Sequence, residues 1–502
     1  MAYRDIQHFI RVLKKNKELK VIKAKVNPVL EITEITDRVS KQYGPALLFE
    51  NVAGSRYPVL INAFGTYERM ALALGVDKID DIASDIEHLI NFSNYMSVPK
   101  LLKTSIKLPR LAAALPIKVK RGACQQVVEE PDLSTIPILK CWPKDGGRFV
   151  TLPLVFTKDP ETGRQNIGMY RLHVYDKKTT GMHWHLHKDG KSIFEKYKNA
   201  DMFSSGDSQS PLENSFPVHK QRTGRMPVSV VIGADPATVY ASTAPLPSMI
   251  DEILFAGWLR KRPVPLVKCI TNDIYVPANA EFVLEGYVDC NEALREEGPF
   301  GDHTGYYSEK DFYPVFHIEK ITRKENPVYM ATIVGQPPME DCYIGKATER
   351  IFLPLIKMIA PEIVDINFPL EGVFHGCVIV SIDKQYPGHA KKIMNTIWGF
   401  GQMMYTKMII VVDKNVNPHD VSKVMWKVFN NIDAARDVIV SNGPLDALDH
   451  ASALRFLGNR TGVDATIKWA AEGYEREWPD DIVMCKEIKD RVSRRWKAYG
   501  FK

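Results

Sequence analysis

Glu296, Glu297, Asp302 and His303 fall within one short stretch, Glu296-Glu297-Gly298-Pro299-Phe300-Gly301-Asp302-His303-Thr304-Gly305-Tyr306-Tyr307. Its glycines and proline make it too broken for a helix and fix a particular turn. Carboxyls held on such a turn can perform acid–base chemistry if one is protonated and the other ionised, and burial and neighbouring like charge can arrange that. A solvated acidic loop would carry the same letters, because surface loops are commonly charged.

Other groups upstream add to the choice. Asn166 and Glu252 are oxygen donors of the kind hard divalent ions prefer. His183, His185 and His187 alternate in His183-Trp184-His185-Leu186-His187, so on a strand they would share one face. That face could present several ligands to one metal, or simply stack imidazoles on a half-exposed strand. Arg171 lies five residues after Asn166, and its planar fork suits a carboxylate; a surface ion pair would use it equally well.

The elements that must hold these groups follow from periodicity. Ile6, Phe9, Ile10 and Leu13 share one helical face, a helix is expected from Glu31 to Lys41, and Ile79, Ile82, Ile86, Leu89 and Ile90 mark another. Ala46–Phe49 and Val59–Ile61 are short apolar runs between Gly, Pro and Asn, expected as strands. Residues 1–115 therefore form an α/β region. From 116 to 325 the texture is β-rich, with strands at Arg171–Tyr175, Val228–Ile232, Leu266–Ile270 and Glu281–Leu284, the pattern of a barrel or sandwich. A polar loop interrupts them from Ser204 to Arg225. Residues 326–502 alternate again: strands at Gly376–Ile382, Lys407–Asp413 and Asp437–Val440 with helices at His389–Phe400 and from His419 predict βαβ units, and a charged helix from Asp481 to Tyr499 closes the chain.

At 502 residues the chain has room for several domains, and 45% hydrophobic with 25% charged residues is globular composition. Sixty-six basic against 60 acidic residues, without a block of like charge, argue against a nucleic-acid surface. Seven scattered cysteines without a CxxC pair predict reduced thiols in a cytoplasmic protein. No apolar run approaches the roughly 18 residues of a membrane span.

Taken together the stretch at 296–307, Arg164–Arg171, the histidine run and Asp251-Glu252 resemble the UbiD family of carboxy-lyases. So do Leu30-Glu31-Ile32-Thr33-Glu34-Ile35, Gly44–Asn51 and Gly388-His389-Ala390-Lys391, in the same order along the chain. The resemblance implies a mixed α/β fold: a small α/β N-terminal region, a split β-barrel for the flavin, and a C-terminal α/β domain for oligomerisation. It implies a decarboxylase using prenylated FMN, supplied by a flavin prenyltransferase, with Mn2+ or Mg2+ on the flavin phosphate and potassium nearby. By this resemblance Asn166, His187 and Glu252 hold the metal, and Met169, Tyr170, Arg171, His183, Trp184, His185, His187 and Lys188 line the cofactor with Asn166. Arg171, Glu297 and Asp302 become the catalytic set, with Asp302 the proton donor. The expected substrate is an aromatic acid of the 4-hydroxybenzoate type, with or without a prenyl chain as in ubiquinone biosynthesis, or an α,β-unsaturated acid. A dimer or hexamer is expected, peripheral to the membrane if the substrate is prenylated. An ordinary FMN oxidoreductase on a split barrel and a non-enzymatic flavin-binding protein are the alternatives.

Overall fold

The computed structural model describes residues 3–94, 114–184, 189–204, 224–246 and 250–501. The chain opens on the helix Ile6–Lys15, started by Asp5, whose side chain accepts from the His8 N–H. Ile6, Phe9 and Leu13 are fully buried along its inner face, as the 3.6-residue period requires. The helix Glu31–Lys41 follows at the expected boundaries. Leu19–Ile22, Ala46–Phe49 and Val59–Ile61 build a small sheet, and a fourth strand, Tyr329–Met330, arrives from much later in the chain to pair with Val59–Ile61.

The centre is an antiparallel sheet of seven strands. Its path runs Thr179–Gly181, Val315–Arg323, Phe282–Asp289, Arg225–Ile232, Leu154–Lys158 and Gln165–Met169, and Val127–Glu129 adds to Val315–Arg323. Among the described residues the path stays open and does not close into a barrel. Val155, Val228, Val230, Phe282, Leu284 and Phe316 fill one apolar cluster with Tyr170 and Trp184. Cross-strand register sets Asn166 opposite Thr157 and Met169 opposite Leu154, so the strand that carries Asn166 also aims the chain at Arg171.

Two expectations change here. Arg171–Tyr175 is a strand only at Leu172–His173, against Phe149–Val150, with Val174 bridging Thr180, because Arg171 leaves the ladder to enter the site. The alternating histidines do not form a strand as far as Trp184. Pairing ends at Gly181, the Met182 N–H donates to Pro314 O, and the Trp184 N–H turns back to Met182 O. His185, His187 and Lys188 lie outside the described residues, as does most of the polar loop. A helix from Asp189 to Ser204 follows.

In the last third, Cys377–Ile382, Met408–Asp413 and Leu457–Asp464 run parallel at the centre of a five-stranded sheet, with Ile363–Asn367 and Val438–Pro444 antiparallel on the flanks. The helix His389–Trp398 covers it through Ile393, Met394 and Ile397. The closing helix is shorter than expected, Lys486–Arg495 with a final 3-10 turn; Asp481 lies outside it and pairs with Lys427 at 2.6 Å. No helix among the described residues is long and apolar enough to cross a membrane.

Candidate active site

The 296–307 stretch ends the strand Arg295–Glu297, with Glu297 as its last residue, and supplies most of the link to its hairpin partner Asp311–Tyr313. Gly298 sits at φ +96°, a conformation open to glycine and strained for other residues. The loop is pinned from outside. Asp145 accepts from the N–H of Gly301 and from that of Trp142, each at 2.8 Å, and the Gly146 N–H donates to Pro299 O at 2.8 Å. Gly301 packs so closely on the Trp142 indole that a Cβ there would lie 2.2 Å from it. The loop is therefore a rigid mount.

Arg171 reaches into this mount and joins its two acids. Its Nε donates to Glu297 Oε1 at 3.1 Å, Nη1 donates to Asp302 Oδ2, and Nη2 donates to Ser308 Oγ at 3.3 Å. The guanidinium also lies over the Phe300 ring, 4.6 Å from its centroid. Glu297 is fully buried and Asp302 nearly so. Burial alone would raise Asp302, but Arg171 and His303 overcome it and hold the carboxyl well below its usual range. For Glu297 too, burial is outweighed, by His183 and Arg171, and the carboxyl stays ionised.

His183 was expected on the flavin, and the structure brings its Nδ1 to 2.6 Å from Glu297 Oε1. Burial, with Arg171 alongside, keeps the imidazole below its usual pKa and therefore neutral at pH 7. A neutral ring that donates from Nδ1 steadies the carboxylate without cancelling its charge. Glu297 Oε2 is left buried without a hydrogen-bond partner. It faces Gly181, where a Cβ would lie 2.8 Å from it, and glycine leaves that oxygen room.

Asn166 and Glu252 meet from different elements. Asp251 caps the helix Glu252–Arg260 by accepting from the Ile253 and Leu254 N–H groups, which fixes Glu252 in the first turn. Asn166 Nδ2 donates to Glu252 Oε1 at 3.3 Å, and the Ile167 N–H donates to Oε2 at 3.4 Å. Burial pushes the Glu252 carboxyl up to about 7. Asn166 Oδ1 is buried and unpartnered. A carboxylate short of positive charge beside an orphaned carbonyl oxygen is a donor pair that fits a hard divalent cation. Among the described residues no three His, Cys, Asp or Glu side chains converge as a metal cluster; the third expected ligand, His187, is outside them. Tyr170 and Trp184 are buried, Trp184 against Phe194 at 5.6 Å between rings, and Met169 is half-buried.

Sequence reasoning passed over Asp145, Ser308, Tyr313, the His183–Glu297 contact, and Tyr175, whose hydroxyl lies beside Gly181, 2.9 Å from where a Cβ there would stand. The Tyr313 ring packs tilted against His183, 4.3 Å between centroids. Lys144-Asp145-Gly146-Gly147, an acid beside two glycines, was a legible signal of a loop that holds something. Tyr175 and Tyr313 carried none.

Comparison with known proteins identifies the family. Three family models match in order: the N-terminal domain of 3-octaprenyl-4-hydroxybenzoate carboxy-lyase over residues 10–86, its Rift-related domain over 117–337 and its C-terminal domain over 342–465. An uncharacterized protein of Archaeoglobus fulgidus is 50% identical over 99% of this chain and 98% of its own. The vanillic acid decarboxylase of Sedimentibacter hydroxybenzoicus in its closed form superimposes with a TM-score of 0.81 at 26% identity, over 99% of this chain and 100% of that one. The UbiD-class enzyme HmfF of Pelotomaculum thermopropionicum, in complex with FMN, gives 0.78 at 25% identity over 98% and 99%. Matched from its N-terminal to its C-terminal domain, and half identical to a relative across nearly its whole length, the chain belongs to the UbiD family of carboxy-lyases, enzymes of non-oxidative decarboxylation.

Proposed function

We propose that the protein catalyses the reversible, non-oxidative decarboxylation of an aromatic acid of the 4-hydroxybenzoate type, prenylated or plain, or of an α,β-unsaturated acid, with prenylated FMN as cofactor. The observation that carries this is the single guanidinium shared by two buried acids. Arg171 orients the substrate carboxylate while Glu297 keeps the local charge in balance. Asp302 delivers a proton to the carbon that loses carbon dioxide, and removes that proton in the carboxylation direction. Prenylated FMN, when bound, supplies the electron sink that accepts the pair left as the C–C bond breaks. Asn166 and Glu252, with His187, would hold a manganese or magnesium ion, whose charge would offset that of the flavin phosphate, and potassium would be a further ion of the site. The FMN named with HmfF supports the flavin part of this reading, and the phenolic acid in the vanillic enzyme's name supports the substrate class. Neither alternative, an ordinary FMN oxidoreductase or a flavin carrier, uses the buried acid–arginine set.

The test uses protein co-expressed with a flavin prenyltransferase and purified without oxygen. Its released cofactor is identified by mass and absorption, and it is then offered a panel of hydroxybenzoic and cinnamic acids. Prenylated FMN with carbon dioxide release supports the reading; plain FMN, or no release from any acid, overturns it. Glu252→Ala and Asn166→Ala are expected to lose metal and flavin together, read by elemental analysis and absorbance of the purified protein. Full retention of both would remove these residues from the metal site. The exposed apolar side chains of the C-terminal segment, Ile482, Val483, Met484, Trp496 and Phe501, support assembly into a homo-oligomer, read by sedimentation velocity.

A further inference from the structure

Each decarboxylation consumes one proton: the C–C bond breaks, carbon dioxide leaves, and a C–H bond replaces it. If Asp302 gives that proton it must be recharged on every turnover, yet its side chain is only 10% exposed and Glu297's is wholly enclosed. Arg171, the other ion on Asp302, does not give up a proton at physiological pH. His303 is the remaining contact. Its Nδ1 lies 3.0 Å from Asp302 Oδ1, and the Asp302 carboxylate also accepts from the His303 N–H at 2.8 Å. Unlike Asp302, the His303 side chain is 22% exposed. It therefore touches the buried acid on one side and water on the other.

We propose that His303 is the proton relay that recharges Asp302 from solvent, with Asp341 adding buried negative charge to that of Asp302 to keep its imidazole protonated between turnovers. This rests on the decarboxylase reading above. Asp341 stands in the first turn of the helix Glu340–Ile359, and both its carboxylate oxygens are buried without a side-chain hydrogen-bond partner. The charged groups that act on His303 are Asp302 from its own loop, Asp341 from this helix and Asp446 from the C-terminal domain, and the Phe374 ring packs beside it at 5.5 Å. Although burial opposes the charged ring, these carboxylates, Asp302 first, lift it to about 9.

With the site empty the proton stays on the imidazole, because Arg171 makes Asp302 a very weak base. An incoming substrate carboxylate competes for Arg171 and adds negative charge beside Asp302. Both effects raise the Asp302 pKa and draw the proton across the 3.0 Å contact. The Nδ1–H bond of the imidazolium breaks as the O–H bond of Asp302 forms. After Asp302 has passed its proton to carbon, the ring, left with its hydrogen on Nε2, regains a solvent proton at Nδ1.

The test compares wild-type holoenzyme with His303→Gln, which can still donate a hydrogen bond to Asp302 but cannot carry a proton, and with His303→Ala. The fastest acid from the panel serves as substrate. Wild-type kcat should fall as pH rises through about 9, where His303 loses its proton. His303→Gln should be roughly 100-fold slower, without that alkaline limb, yet with normal flavin content and thermal stability. Added imidazole should restore His303→Ala. In cofactor-free protein, the NMR titration of the His303 ring should move down in Asp341→Asn. An active wild type whose His303→Gln variant keeps both its rate and its alkaline limb overturns the relay alone. A wild type that decarboxylates nothing overturns the decarboxylase reading and the relay with it.

Discussion

Glu297→Gln and Asp302→Asn are each expected to lower turnover by about 100- to 10,000-fold, the range lost when a positioned proton-transfer group is removed, while prenylated FMN remains bound. Both changes keep the shape of the side chain, so the hairpin mount, fastened by Asp145, Gly146 and Trp142, stays in place. What they remove differs. Asp302→Asn leaves Arg171 a carbonyl oxygen to bind but no proton to give, so exchange of the product's ring hydrogen with deuterated water should stop along with turnover. Glu297→Gln removes the charge that Arg171 Nε and His183 Nδ1 both address at Oε1, which leaves the guanidinium less well aimed at an incoming carboxylate. Its loss should appear in KM as well as in kcat. Carbon dioxide release, deuterium exchange and flavin absorbance separate the two. Near-normal rates in both variants would take this acid pair out of the chemistry.

The reason both acids were legible in the sequence, and their supports were not, is physical. Glu297 and Asp302 sit on a turn punctuated by Gly298, Pro299, Gly301 and Gly305, and such punctuation shows in the letters. Helices and strands with clean periods were equally plain: Glu31–Lys41, Ala46–Phe49 and Val59–Ile61 fall where the pattern puts them. Of the histidine run only His183 and Trp184 are described, and they lie past the ladder, which ends at Gly181; period 2 predicts a strand only where a partner continues the pairing. Helices such as Glu340–Ile359 and Glu252–Arg260 are buried on several sides, so their apolar residues carry no clear stripe. Contacts such as His183 with Glu297 span 114 positions. Only the fold creates them, and no local pattern can announce them.

Arg171→Ala should do more than stop turnover: it should destabilise the fold by roughly 3–5 kcal/mol, the cost of removing one partner from a buried ion pair. Arg171 is 11% exposed, and the carboxylates of Glu297 and Asp302 that it joins are 0% and 10% exposed. Without it Glu297 keeps only a neutral imidazole, and Asp302 keeps only His303. The pH dependence follows from the signs. In the wild type Asp302 is depressed on folding, so its contribution is present above the unfolded carboxyl value of about 4 and is lost as pH falls below it toward the folded value. In the variant, burial acts on the two acids without the guanidinium to oppose it, and both carboxyls rise; lowering the pH then protonates them in the folded state and recovers stability. The gap in unfolding free energy between wild type and variant should therefore be widest at neutral pH and narrow as pH drops toward 5, measured by urea unfolding across that window. A gap that stays constant with pH would mean that Arg171 matters for packing on Phe300 alone, and that the two acids do not depend on its charge. Arg171→Lys sharpens the test, because a lysine restores the charge without the fork that spans two carboxylates at once. It should regain much of the stability while remaining poorly active. That result would separate the charge that allows two acids to be buried together from the geometry that lets them work on a substrate.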